Sequence, residues 1–241
     1  MKSLKVCLTG VILTVAIVAL FSLFHVEPVK AAGTPLTGKV TFEGAAPAPQ
    51  IIKMDADPVC ASQNPNGLPS EEVVVNSNGT LKNVFVYVKK GAEAVKVPAP
   101  TEPVAFDQRG CHYHPHVFGI MVGQPIQIIN SDGTLHNVHA LPKNSKEFNL
   151  GMPIQGMKLN QKFTAPEQMV KIKCEVHPWM SAWGGVMDHP FYAVTGDDGT
   201  FSLKDLPPGE YTIEAWHEKY GTQEATVKVP DQTEVNFSFK G

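Results

Sequence analysis

The chain has 241 residues, of which 43% are hydrophobic and 18% charged, and its formal net charge is -3. Positive and negative side chains are interspersed without a basic stripe, which argues against nucleic acid as a partner. About 210 residues follow an N-terminal leader, and that length allows one large domain or two ordinary domains with their own cores.

The first 32 residues have the pattern of a secretory signal peptide. Lys2 and Lys5 precede an apolar run over residues 7–24, and a small-residue cleavage site follows around Ala31. We therefore expect export to a disulfide-permissive compartment, periplasmic or otherwise extracytoplasmic. Because the run approaches the length of a spanning helix, an uncleaved membrane anchor is the alternative.

Apolar residues alternate with polar ones along the rest of the chain, as in strands with one buried face. Examples are "NVFVYV" at 83–88, "VKIKC" at 170–174, "YTIEA" at 211–215 and "VNFSF" at 235–239. Turn signals such as "NSNGT", "SDGT" and "PPGE" lie between such runs. No convincing helical period follows the leader, so the sequence predicts an all-β protein of sandwich type.

Two changes in composition indicate where this β protein divides. The proline-rich stretch "VPAPTEP" at 97–103 is typical of a linker or crossover, and a second style of sheet with tight turns starts at "DHPFYAVTGDDGT". We place the boundaries near residues 101 and 188.

Three cysteines remain if Cys7 is removed with the leader, an odd number for an oxidising compartment. The simplest arrangement pairs two of them and keeps the third for chemistry. We predict a disulfide between Cys60 and Cys111, and a free Cys174 that binds metal.

Histidines recur in "GCHYHPHVFG" at 110–119, where three of them alternate along one strand. Together with two later histidines they would offer a second metal site. The alternative is a set of exposed histidines at a strand end, where Pro115 disturbs the alternation. We favour the alternative and leave these residues out of the predicted ligands. They are His112, His114, His116, His139 and His189.

The segment "KIKCEVHPWMSAW" at 171–183 offers three types of metal ligand at intervals of three residues. Cys174, His177 and Met180 supply a thiolate, an imidazole and a thioether. A blue-copper site takes two histidine nitrogens and one cysteine sulfur in a plane, with a weak axial methionine. The second histidine is predicted to be His136, in "GTLHNVHA" after the strand "PIQIIN".

Residues 103–188 resemble the cupredoxin family, and amicyanin in particular among the small blue-copper proteins. The resemblance is carried by the Cys-x2-His-x2-Met loop with Pro178 and Trp179 inside it, and by "HNVH" after "VGQPIQIINSD". It implies a Greek-key β-sandwich that holds one type 1 copper ion, with Asn137 bracing the site. The implied metal ligands are His136, Cys174, His177 and Met180.

Two departures and two alternatives bear on this site. Leu135 stands where amicyanin has proline, and "SAWGGVMDHP" lengthens the stretch after the loop. These changes concern the surface near the metal rather than its ligands. Zinc would also accept histidine and cysteine, but structural zinc sites usually carry more thiolates. In a purely structural role, Met180 would be an ordinary core residue.

The segment "TGDDGTFSLKDLPPGEYTIEAW" at 195–216 resembles the carboxypeptidase regulatory-like, or transthyretin-like, β-sandwich family, which is usually an accessory module. That family's first strands have counterparts in "LTGKVTFEG" and "LKNVFVYVKKG", which precede the copper region. We therefore expect residues 34–100 and 189–241 to form one smaller sandwich, with the copper-binding domain of residues 101–188 inserted into it. The alternative is one extended cupredoxin from residue 34 to 188.

These predictions describe an exported type 1 copper protein that carries one electron at a time and is not an enzyme. Cys174 would form the strong bond to copper, His136 and His177 would be equatorial, and Met180 would be the weak axial ligand. The resemblance implies that His177 lies near the surface, where a redox protein partner of the cell envelope would dock. We expect no nucleic acid, no small-molecule substrate, and no membrane contact beyond an N-terminal anchor.

A binding role without electron transfer is the main alternative. In a copper delivery or storage protein of the cell envelope, the histidine-rich strand would help to load the ion. A multicopper oxidase would need further copper centres with many paired histidines, and the His-x-His motifs of this chain are too few and too clustered to supply them.

Overall fold

Strands make up nearly all the regular structure of residues 33–241, the part of the chain that the computed structural model describes. The prediction of an all-β fold is therefore confirmed. The predicted signal peptide or anchor lies outside the described residues. Between residues 33 and 241, no helix has both the length and the apolar character needed to cross a membrane.

The elements up to the middle of the chain are β1 (Thr34–Glu43), β2 (Ile51–Ile52), α1 (Pro58–Gln63), β3 (Leu68–Pro69), β4 (Phe85–Lys90), β5 (Val104–Arg109), β6 (His112–His114), β7 (Val117–Met121), β8 (Pro125–Asn130) and β9 (His136–Leu141). The later strands are β10 (Phe148–Met152), β11 (Lys158–Lys162), β12 (Glu167–Lys173), β13 (Ser181–Met187), β14 (Tyr192–Val194), β15 (Thr200–Leu206), β16 (Gly209–His217), β17 (Gly221–Val229) and β18 (Phe237–Lys240).

Strands from both ends of the described chain form one β-sandwich, which we call the outer sandwich. One of its sheets has the strand order β15-β1-β18 and the other has the order β14-β4-β16-β17. The facing sides of the two sheets bury one hydrophobic core, to which Val40, Val86 and Ile213 belong. β1 runs parallel to the last strand, with Val40 opposite Phe237.

β4 lies between two strands that follow it by more than a hundred residues. Tyr87 of β4 pairs with Tyr192 of β14, and Val86 pairs with Ala215 of β16. The insertion hypothesis requires these neighbours, whereas one extended cupredoxin would place β4 beside strands of the copper region. The boundaries at 101 and 188 themselves stay a prediction.

The strands between β4 and β14 form a second sandwich, which we call the inner sandwich. Its sheets have the strand orders β10-β9-β12-β13-β7 and β11-β8-β5-β6. Alternating residues such as Phe106, Ile128 and Ile172 are fully buried between them. β9 and β12 are antiparallel, with His139 opposite Lys173, so the start of β9 lies beside the end of β12.

One short helix, α1, lies between β2 and β3 in this otherwise β structure, where the sequence shows no helical period. The Asp57 side chain caps it by accepting hydrogen bonds from the backbone N–H groups of Val59 and Cys60, and Pro58 occupies the first turn. Six residues are too few for a 3.6-residue hydrophobic period to be recognised in a sequence.

Candidate metal centre

Two histidines face each other at one end of the inner sandwich. His136 begins β9, and His177 lies in the loop that follows β12. Their Nδ1 atoms are 2.8 Å apart and both side chains are buried. The antiparallel pairing of β9 with β12 produces this meeting of residues that are 41 positions apart in sequence.

Each imidazole bonds a carboxylate through its other nitrogen. His136 Nε2 lies 2.9 Å from Asp132 Oδ2, and His177 Nε2 lies 3.1 Å from Asp57 Oδ2. An ionised carboxylate only accepts hydrogen bonds, so both Nε2 atoms must carry the proton. In neutral rings, the two Nδ1 atoms would then present lone pairs to each other.

Only a proton or another cation between the Nδ1 atoms makes this arrangement favourable. Burial opposes protonation of His136, but Asp132 and the Cys174 sulfur raise the pKa of its imidazole to about 9. Burial lowers the pKa of His177, and the neighbouring His136 lowers it further against the opposing effect of Asp57. A metal ion held by both Nδ1 atoms would take the place of such a proton.

A single free thiol completes the group. Cys174 Sγ lies 4.0 Å from His177 Nδ1, and the sulfur accepts a hydrogen bond from the backbone N–H of His177 at 3.3 Å. Burial would raise the pKa of the Cys174 thiol, but His136 and backbone N–H groups lower it below its ordinary value. As predicted, Cys174 is the free cysteine of the described chain.

Asn137 holds the ligand loop in place. Its side-chain oxygen accepts hydrogen bonds from the backbone of Glu175 at 2.7 Å and from the Cys174 thiol at 3.2 Å. The loop closes on itself, because Cys174 N donates to Met180 O at 3.2 Å and Met180 N donates to His177 O at 2.9 Å. The Met180 side chain is buried in the same core as Cys174.

The expectation that His177 lies near the surface is wrong. Its exposed fraction is 2%, compared with 0% for His136 and 3% for Cys174. The carboxylate of Asp57 covers the Nε2 edge of the ring, and Cys60 Sγ lies 3.9 Å from the same nitrogen. This cover belongs to a segment more than a hundred residues upstream, which local sequence around the ligand loop does not reveal.

The predicted disulfide between Cys60 and Cys111 is confirmed. It joins α1 to the turn between β5 and β6. That turn also contacts the carboxylate of Asp132, the partner of His136. Asp132 accepts hydrogen bonds from the backbone N–H groups of Gly110 and Cys111, both at 2.8 Å. One cross-link thus connects the segments that position both imidazoles.

In the described chain, three groups of residues bring a histidine, a cysteine and a third possible metal ligand close together. Only one of these groups can bind a metal through sulfur. Asp57, Cys60 and His177 form one group, and Cys111, Asp132 and His136 form another. Both cysteines of these groups are in the disulfide and have no thiolate to offer. His136, Cys174 and His177 remain as the third group, with ligand atoms within 4.8 Å of one another.

The remaining group fits one first-row transition metal. Bonds of about 2.0–2.1 Å to nitrogen and about 2.3 Å to sulfur, as at zinc, place ligand atoms roughly 3.3–3.8 Å apart. The measured separations of 2.8 Å between the Nδ1 atoms and 4.0 Å between Cys174 Sγ and His177 Nδ1 lie close to this range. Small side-chain shifts would therefore suffice for coordination.

The five histidines left out of the predicted ligands lie outside the candidate centre, and their side chains are less exposed than predicted. His116 is buried and contacts Glu218, while His189 is buried with Nε2 2.8 Å from Val88 O. His139 lies between Glu147 and Glu175, at 2.6 Å from each. Rings of the half-buried residues His112 and His114 lie 3.9 Å apart.

Sequence reasoning missed the two carboxylates. Asp132 lies in "SDGT", which was interpreted only as a turn, although its spacing of four residues from His136 was visible. Asp57 lies 120 residues from His177, and its one local signal is the N-cap position before Pro58.

Comparison with solved structures finds copper proteins among those similar to this chain. A copper-containing nitrite reductase from Thermus scotoductus SA-01 has 22% identity over 41% of this chain and 25% of its own, with a TM-score of 0.34. A purple cupredoxin from Nitrosopumilus maritimus has 22% identity over 35% of this chain and 99% of its own, with a TM-score of 0.31. The oxidised state of a proline-to-alanine mutant of amicyanin has 20% identity over 42% of this chain and 98% of its own, with a TM-score of 0.32.

The sequence comparisons concern the C-terminal part. No curated protein matches the chain. The family model of the carboxypeptidase regulatory-like domain matches residues 186–240. This match covers β14 to β18 of the outer sandwich, where the sequence resemblance had been found.

Proposed function

We propose that this protein is an exported type 1 copper protein that carries single electrons. The observation that carries the proposal is the pair of Nδ1 atoms 2.8 Å apart, beside a buried thiol and with both Nε2 atoms turned to carboxylates. Two imidazoles and one thiolate favour copper, whereas structural zinc sites usually have more sulfur. When bound, copper would supply one-electron redox chemistry.

The protein's own residues would hold this metal rigidly. Asp132 and Asp57 fix the Nε2 tautomer of both imidazoles, and carboxylate partners of this kind orient metal-binding histidines. Cys174, His136 and His177 would be the main ligands, and Met180 the weak axial one. Asn137 keeps the loop that bears Cys174 closed.

The burial of the centre supports a carrier rather than an enzyme. All three main ligand side chains are buried, so a substrate would have no direct path to the metal. A carrier also needs a donor and an acceptor, and a redox protein of the cell envelope is the partner class we propose for one of them. The disulfide fits an oxidising, extracytoplasmic location.

We also propose the domain division that the sequence suggested. Residues 34–100 and 189–241 would be the outer domain, and residues 101–188 the inserted copper-binding domain. The separate cores of the outer and inner sandwiches support this division.

Visible spectroscopy of the copper-loaded protein tests the proposed function. We expect an intense blue or green colour from thiolate-to-copper charge transfer, and its loss in Cys174→Ser. His139→Gln is a matched control, because His139 is also on β9 but faces Glu147 and Glu175 outside the centre. A wild-type protein without the band, or a Cys174→Ser protein that keeps it, would refute the ligand assignment.

Copper delivery or storage is the second candidate. The close pair of His112 and His114, with ring centroids 3.9 Å apart, favours it. A carrier gives a reversible potential and fast electron self-exchange, whereas a delivery protein exchanges the metal and prefers one oxidation state. Voltammetry and copper transfer to a chelator separate the two.

A further inference from the structure

A cavity of about 210 Å³ lies beside the candidate metal centre. Ile52, Met54 and Leu68 from the segment around α1 form an apolar part of its lining, and Trp179 of the ligand loop contributes another part. The cavity therefore lies where the segment that covers His177 meets the loop that carries it.

Trp179 separates the cavity from His177. Its indole ring is 4.9 Å from the imidazole, measured between ring centroids, and its Nε1 donates a hydrogen bond to Cys111 O at 3.0 Å. The Nε2 edge of His177 is covered by Asp57 and Cys60. A molecule in the cavity would thus be one indole away from a predicted metal ligand.

The polar groups of the lining include the carboxylates of Glu71 and Glu72 and the imidazole of His112. His112 Nδ1 lies 3.2 Å from Gly110 O, so it holds the proton in a neutral ring and leaves Nε2 as an acceptor. Glu72 is paired with Lys219, but Glu71 has no ion-pair partner among residues 33–241. A ligand that donates hydrogen bonds would find acceptors here, and the Glu71 carboxylate would repel an anion.

We propose that this cavity binds a monocyclic hydroquinone, a neutral aromatic ring with hydroxyl donors. An apolar cavity of about 150 Å³ is enough for benzene, so a volume of about 210 Å³ leaves room for hydroxyl groups. The ring would pack against Trp179, and the hydroxyls would donate to Glu71 and His112. Binding of this ligand does not depend on the proposed copper function.

Binding to the metal-free protein tests the proposal, by calorimetry and tryptophan fluorescence without oxygen. Hydroquinone should bind at least ten-fold more tightly than 1,4-dimethoxybenzene, which lacks donors, and than the anion 4-hydroxybenzoate. Absence of hydroquinone binding, or equal binding of dimethoxybenzene, would overturn the proposal. Since no copper is present, failure here leaves the copper assignment intact, and failure of copper loading leaves this result intact.

Three variants locate the ligand. Leu68→Trp should fill the cavity and reduce affinity for hydroquinone at least ten-fold, while Ile154→Trp, at an exposed position outside the lining, should not. Glu71→Gln should strengthen the binding of 4-hydroxybenzoate several-fold because it removes a repelling charge. Unchanged hydroquinone affinity in Leu68→Trp, or unchanged 4-hydroxybenzoate affinity in Glu71→Gln, would place the ligand elsewhere.

Discussion

At the scale of single residues, the two imidazoles of the candidate metal centre have different supports. Asp132, which bonds His136, is itself fixed by two backbone N–H groups of a buried turn. Asp57, which bonds His177, caps a six-residue helix and is partly exposed. Of the two predicted ligands, His136 is therefore the more firmly positioned, and the orientation of His177 depends on where α1 lies.

Met180 is expected to tune the metal rather than hold it, since an axial thioether bond is long and weak. Met180→Leu should keep its copper and raise the reduction potential, because a donor that favours Cu(II) is lost. The swap should cost about 1.5 kcal/mol of stability or less. Voltammetry and copper analysis test this, with Met187→Leu as the control at a buried methionine outside the centre. Loss of copper from a folded Met180→Leu protein would contradict an axial role.

His217 makes stability depend on pH on the acid side. Burial lowers the pKa of its imidazole from 6.5 to about 4, and its Nε2 has no partner among the described residues. Between these pH values, the unfolded chain binds the proton and the folded one does not, so stability falls as pH falls. The loss from pH 7 to 4 should reach roughly 3 kcal/mol.

Denaturant unfolding at several pH values measures this loss. His217→Asn should flatten the slope between pH 6.5 and 4, because no imidazole is left to be protonated. His139→Gln should not flatten that slope, because nearby carboxylates raise rather than lower the pKa of His139 in the folded protein. An equal slope in wild type and His217→Asn would assign the effect to another group.

At the scale of elements, α1 acts as a cover that three contacts tether. Asp57 bonds His177, Cys60 forms the disulfide, and Asn64 Nδ2 donates to Gly110 O at 3.1 Å. The helix is too short to be stable alone. Its position over the centre therefore comes from these contacts rather than from helix propensity.

Removal of the disulfide should loosen this cover. The cross-linked residues are 51 positions apart, and a loop of that length corresponds to about 4 kcal/mol of unfolded-state entropy. The double variant Cys60→Ala, Cys111→Ala should lose stability of that order in urea and release copper to a chelator faster. Asp57→Asn keeps the disulfide, so this matched variant tests copper release without the loss of the cross-link. An unchanged unfolding midpoint in the double variant would contradict this account.

The sequence predicted the strands and the cysteine pairing because both leave local signals. Period-2 alternation marks β4, β12 and β16, and an odd cysteine count singles out one free thiol. The cover over His177 left no such signal, since Asp57 and His177 meet only through tertiary packing across 120 residues. The candidate ligand group was thus predictable from spacing, and its carboxylates and burial were not.

At the scale of the whole molecule, glycines let the two sandwiches approach each other closely. A Cβ at Gly185 of β13 would lie 2.3 Å from the Phe85 ring of β4, and one at Gly119 of β7 would lie 2.3 Å from the Tyr192 ring of β14. Phe85 is fully buried there. The outer and inner sandwiches therefore contact each other where aromatic rings of the outer sandwich pack on the backbone of glycines in the inner sandwich.

Gly185→Ala should destabilise the protein by about 1–3 kcal/mol, because the added methyl group overpacks this contact. Gly151→Ala is the control, since a Cβ at Gly151 would meet no atom within 4 Å. Thermal and urea unfolding measure both variants. Equal unfolding midpoints for Gly185→Ala and Gly151→Ala would show that the protein accommodates the added methyl group at Gly185 without losing stability.

The parallel pairing of β1 with β18 affects the order of folding, because a chain is synthesised from its N-terminus. The inner strands lie between Val104 and Met187 and can pair once that stretch has been synthesised, whereas Val40 must wait for Phe237. Until then, one edge of β1 has unpaired backbone groups that can bind another unfinished chain. The first strand of the described residues is thus the one most exposed to misassembly, and the last four-residue strand ends that exposure.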